Sequence, residues 1–199
     1  MDKQQEGTLT REQSLELITS MISRAKNDYY DTGISALLWG SIIIFCSLAT
    51  YANHWLKWVA LDYVWFLTVI AVVPQVIISM REGKLRGFKS HESHLIGGVW
   101  LSYVIAIFLF SYVDYVLNIS RDAPVYLTLF GIPTFATGYG RRFIPMIIGG
   151  LACWVFAIVA LYIPYPNALF LMAAGALLAW FIPGLLLRRC YLKAKRQHV

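Results

Sequence analysis

Asp62, Gln75, Asp114 and Thr134 are polar side chains set inside long apolar runs, and they are the first places in this chain to look for chemistry. Such groups are costly in a hydrocarbon environment unless they face a partner or a watery path. Asp62 is close to the start of its run and Asp114 close to the end of its own, so both are expected near a membrane surface. There, with Tyr63, Tyr112 and Tyr115, they could form a polar vestibule. Gln75 lies deeper and directly follows Pro74, which frees a carbonyl one turn earlier. Thr68, Ser79, Thr134 and Thr137 join it on an expected polar seam, because amides and hydroxyls bond across helices in lipid. Asp62, Gln75, Asp114 and Thr134 together define the candidate polar path of a transporter.

Other combinations carry less. His91 and His94 stand three apart and would share a helix face, and imidazole suits zinc or copper. Two ligands do not close a site, and the pair lacks the His-Glu-x-x-His spacing, so no metal is expected. Gly138-Tyr139-Gly140-Arg141-Arg142 offers two guanidinium groups, and backbone N–H groups beside them, to a lipid phosphate. Cys46, Cys153 and Cys190 give no disulfide framework. There is no Gly-x-Ser-x-Gly, no phosphate-cradling glycine loop and no pair of deep carboxylates. The sequence therefore predicts no enzyme and no cofactor.

The elements that must position these residues are six apolar runs, at 34–52, 58–80, 95–117, 123–139, 143–163 and 167–187. Each approaches the length needed to cross a ~30 Å hydrocarbon core at ~1.5 Å per residue. A chain with 58% hydrophobic and 14% charged residues is not an ordinary soluble domain. Of its 17 Lys and Arg, all but Lys57 and Arg121 fall in the N-terminal arm, the second and fourth connections and the tail. That bias places both termini in the cytoplasm, at the plasma (inner) membrane if the protein is bacterial. It also explains the net charge of +6 without nucleic acid, since the cations flank spans next to anionic lipid. Tyr and Trp cluster at the run ends, at headgroup depth. No cleavable signal is expected, because the first 33 residues are polar and amphipathic, and the first span would act as the anchor.

Within the arm, residues 10–28 predict a helix. Thr10 and Gln13 have capping-box spacing, and Leu17, Ile18, Met21 and Ile22 recur on one face as a candidate docking surface. The polar face is charge-balanced rather than basic, which favours protein over lipid as its partner. The fourth run holds Pro124, Gly131, Pro133, Gly138 and Gly140 and is expected to be kinked or broken and buried among other helices. Gly149-Gly150 and Ala173-Ala174-Gly175-Ala176 would let helices approach closely in self-association.

Trp39-Gly40, Gly98 with Trp100, and Gly149-Gly150 with Trp154 mark the odd runs, while Pro74, Pro133 and Pro183 fall late in the even ones. This spacing suggests three hairpins in tandem. The plan resembles in outline that of the mitochondrial carriers, but that family's charged signature after the proline is absent, since Gln75-Val76 follow Pro74.

The expected fold is an all-α integral membrane protein: six transmembrane helices as three consecutive helical hairpins, preceded by a cytoplasmic amphipathic helix. Residues 1–33 form the arm, 34–187 the spans and 188–199 a basic tail. The expected function is a non-enzymatic scaffold, accessory or regulatory subunit that contacts lipid and either a second copy or a protein partner at the cytoplasmic face. The alternative is a small transporter or channel.

Overall fold

The computed structural model describes residues 32–85, 91–117 and 122–196. These are helical almost throughout, with no strand among them: α1 Ile34–Leu56, α2 Val59–Asp62, α3 Phe66–Leu85, α4 His91–Leu117, α5 Ala123–Gly140, α6 Ile144–Ala160, α7 Ala168–Ala176 and α8 Ile182–Arg196. A π-helical turn, Leu177–Phe181, joins α7 to α8 without a break. The arm with Leu17, Ile18, Met21 and Ile22 lies outside the described residues, as does the side chain of Asp62. Four helical stretches are long and apolar enough to cross a membrane: Ile34–Leu56, Phe66–Gly83, His94–Leu117 and Ala168–Lys193. Ile144–Ala160 is apolar but shorter.

Two boundaries depart most from the expected runs. The second was expected from residue 58, yet the long helix begins at Phe66. Before it come one helical turn and a series of tight i→i+3 bonds through Tyr63–Trp65. Val59, Asp62, Tyr63 and Val64 are weak helix formers, and the Thr68 hydroxyl ties back to the Trp65 carbonyl to start α3. At the other end, α8 continues to Arg196, because Arg, Leu, Lys and Ala sustain a helix after apolar burial ends.

In the fourth run the break, one of the two expected outcomes, does not occur. The run forms an unbroken helix, α5, through Pro133. Pro124 falls in the first turn, where its missing N–H costs nothing. The expectation that this segment sits among other helices holds: Leu127, Phe130, Pro133, Thr134 and Thr137 are all buried. A distorted turn is found before Pro183. Pro183 cannot donate to Ala179 and its ring crowds that carbonyl. The preceding turn opens to a π turn, in which Ile182 N–H bonds to the Leu177 carbonyl.

The core is α1, α5, α6 and α7–α8. The most extensive packing is α5 on α6, followed by α1 on α7. α1 runs antiparallel to α7–α8: Gly33 meets Gly184 and Arg188, Gly40 meets Phe181, and the Tyr51 and Phe170 rings meet at a tilt with centroids 4.2 Å apart. Gly33 stands at φ 70, and a Cβ there would collide with the Gly184 carbonyl, so only glycine suits this joint. α3 packs on α1 alone and α4 chiefly on α5, while α3 and α4 do not touch among the described residues. The connection between these two, residues 86–90, joins one expected hairpin to the next. No residue in the apolar window of α4 is buried, against half in Ala168–Lys193.

Candidate functional site

The polar residues inside the bundle fall into two separate networks. The first lies between α1 and α3. Gln75 accepts from the Trp39 indole N–H at 3.1 Å and donates from Nε2 to Ser35 and Ser79 hydroxyls, each at 3.2 Å. One turn nearer the chain's start, the Thr32 hydroxyl donates to the Glu82 carboxylate. Thr32 just before α1, and Ser35 and Trp39 on it, are answered by Glu82, Ser79 and Gln75 on α3 in antiparallel order. The register is thus set by rungs of unlike polar groups, which bond most strongly where water is scarce.

The second network lies in the core. Thr134 Oγ1 donates to the Phe130 carbonyl at 2.8 Å and accepts from the Trp180 indole at 2.8 Å. Trp180 is the fourth residue of the π turn and is buried against Phe130, with ring centroids 4.9 Å apart. One turn along α5, Thr137 accepts from the Trp100 indole of α4 at 2.9 Å. Tyr103 closes the cluster edge-on to both tryptophans. Gln75 and Thr134 therefore serve different helix pairs, and α3 and α5 do not meet. Asp114 is half-buried near the end of α4, on the same element as Trp100 but several turns away.

Sequence reasoning missed the tryptophans. Trp65 donates to the Thr50 hydroxyl at 3.0 Å and Trp154 to the Thr128 carbonyl at 3.3 Å, so five indoles in all tie helices or turns together. A buried indole needs an acceptor, and Thr residues at helical spacing supply one. That was the available signal.

At the α5–α6 turn, Arg141 is half-buried and Arg142 is exposed with φ 51. The backbone N–H groups of Arg141, Arg142 and Phe143 already bond to Thr137, Tyr139 and Gly138 carbonyls. Those bonds take up three of the backbone N–H groups of this turn. Gly149, Gly150, Ala173, Gly175 and Ala176 are buried against the chain's own helices, where their small size permits close internal packing. His94 is exposed at the start of α4, and no three His, Cys, Asp or Glu side chains cluster among the described residues.

Beyond the bundle, Asp122 precedes α5. Burial pushes its carboxyl above the usual range, partly offset by the backbone N–H groups of Asp122 and Ala123. Exposed aromatics gather at this end of the molecule, among them Trp55, Trp58, Tyr63, Tyr115 and Tyr162. No protein-family model, curated protein or solved structure matches the chain.

Proposed function

We propose that this chain is a multi-pass integral membrane protein of non-enzymatic type, acting through protein contacts as a scaffold, accessory or regulatory subunit. In this reading all six apolar runs cross the membrane as three hairpins, with both termini cytoplasmic. The contacts α1–α3, α4–α5 and α6–α7 support that pairing. The observation that carries the functional reading is the use of the interior polar groups. Gln75, Thr134 and Trp180 are each committed to bonds that hold helices together. A carrier keeps such groups for its substrate at the bilayer midplane. The charge-balanced arm then provides the docking surface, for a partner protein or a second copy.

The test pairs two sets of variants at matched expression. Leu17→Asp with Met21→Asp should leave insertion intact and weaken recovery of the partner or second copy after mild extraction. Asp62→Asn and Asp114→Asn should leave the cellular phenotype unchanged, since hydration near the surface makes those charges dispensable. Loss of a reconstituted flux in either Asp variant, with folding intact, would replace the scaffold by the transporter.

A further inference from the structure

At the end of α1 remote from the basic tail, the chain turns a corner into α2 and leaves an open cleft of about 520 Å³. Its lining includes Thr50, Asn53, His54, Lys57, Trp65 and Tyr165. The corner is held from within. Asn53 Oδ1 accepts the Trp58 backbone N–H at 2.7 Å, and Thr50 accepts the Trp65 indole. These two polar side chains fix the walls. His54 stands edge-on to Tyr165, with ring centroids 6.1 Å apart.

Lys57 is the unusual residue. It caps α1 in the left-handed conformation, φ 52 and ψ 40, with its N–H on the Asn53 carbonyl. Glycine or asparagine takes this position at little cost, whereas a long L-side chain is strained there. Strain of this kind persists where the surrounding structure uses the side chain. Here that side chain lines the cleft, and it is the only Lys or Arg among the described residues that do. No carboxylate is among the described residues that line it. Trp55 and Trp58, next to Lys57 in the chain, are both largely exposed, as suits aromatics that settle beside lipid phosphates.

We propose that this cleft binds a phosphate-bearing anion, with the Lys57 ammonium and the His54 imidazole as its donors and Tyr165 and Trp65 as its walls. An ammonium is a compact partner for phosphate, and bonds to an ionised group are the stronger kind. The phosphate comes from the headgroup of an anionic lipid or from a soluble ester entering from the water. This inference rests on the bundle lying in a membrane and not on the scaffold role.

The experiment uses the purified full chain in phosphatidylcholine nanodiscs with and without phosphatidylglycerol. Native mass spectrometry reads retained lipid, and calorimetry reads binding of inorganic phosphate and glycerol 3-phosphate. Lys57→Asn keeps a residue that tolerates the left-handed cap, and His54→Gln keeps a polar side chain of similar reach. Each should weaken binding by roughly tenfold or more, as loss of a charge-assisted bond implies, while thermal melting stays near wild type. Lys193→Gln, which removes a charge at the far end, should leave binding unchanged. Retention of phosphatidylglycerol without affinity for the soluble esters assigns the site to lipid, and the reverse assigns it to a soluble ligand. The proposal fails if the wild type binds none of these probes. It also fails if both cleft variants bind as wild type does, or if Lys193→Gln loses as much as they do.

Discussion

Thr134 shows how little slack the interior leaves at the level of single atoms. Its hydroxyl donates to Phe130 and accepts from Trp180, with no exposure to the surroundings. Replacing Thr134 by Val preserves shape but orphans the indole N–H, a loss of about 1–3 kcal/mol. A cycle with Trp180→Phe, followed by unfolding in mixed micelles, should return a coupling of about 0.6 kcal/mol and at most ~1.7. Zero coupling would mean the bond contributes nothing. Asp122 gives the opposite kind of test. Its folded pKa is raised from 3.8 by burial, so the neutral acid suits the folded state. Its stabilising contribution is complete below that value and is lost as pH rises through the folded pKa. Asp122→Asn should therefore melt higher than wild type at pH 7, with the gap closing toward pH 3.5; a constant gap would reject the cause. Gln75 was legible as a seam residue because an amide beside a proline in an apolar run needs partners. Trp39, Trp100 and Trp180 were not, because tryptophan in such a run also serves as interfacial anchor or filler. His54 and Lys57 read only as residues of a span end, since nothing in the one-dimensional pattern shows that the chain folds back into a corner there.

Helices in lipid are apolar toward the core and apolar toward the surroundings, so periodicity gives their existence but not their partners. This is why six runs could be drawn from residue types while the separation of α3 from α4 could not. Only close approach tells the faces apart. A Cβ on Gly149 would lie 2.5 Å from the Leu178 carbonyl oxygen and 2.7 Å from Ala179 Cα. Both atoms belong to the π turn, which α6 can touch only through glycine. A Cβ on Gly98 of α4 would meet nothing within 4 Å. Gly149→Ala should therefore destabilise the fold by about 1–3 kcal/mol through overpacking. Gly98→Ala should be neutral or stabilise by roughly 0.5–1 kcal/mol through helix propensity. Unfolding of the two variants side by side checks this, and equal effects would refute the assignment of α6 to the core and α4 to the periphery. The glycines that looked like repeats at 40, 98 and 150 thus differ in use: Gly40 and Gly150 press on neighbours and Gly98 does not. Spacing alone could not reveal that difference.

The two ends of the whole molecule carry different chemistry. Gly33 beside Arg188, and Thr32 bonded to Glu82, bring the start of α1 to the same end as the basic tail. Gly149 against Leu178 and Ala179 puts the α5–α6 turn with Arg141 and Arg142 at that end too. The opposite end holds Lys57 and Tyr165 in the cleft, with Asn167 just before α7. The described cations thus gather at one end, with Lys57 apart from them, and in the proposed reading that charge bias makes the basic side cytoplasmic. Cys46 and Cys153 are fully buried, so only Cys190 needs replacement before single cysteines are introduced. In a Cys190→Ser background, Ser120→Cys should react with an impermeant thiol reagent on intact cells. Ser90→Cys and Lys195→Cys should react only after permeabilisation. Ser90 lies within the connection that carries Arg81, Lys84, Arg86 and Lys89, the segment least able to cross. Labelling of Ser90→Cys from outside, with Ser120→Cys protected, would invert the orientation. The cleft around Lys57 would then face the cytoplasm, where soluble phosphate esters rather than outer-leaflet lipid would be its source.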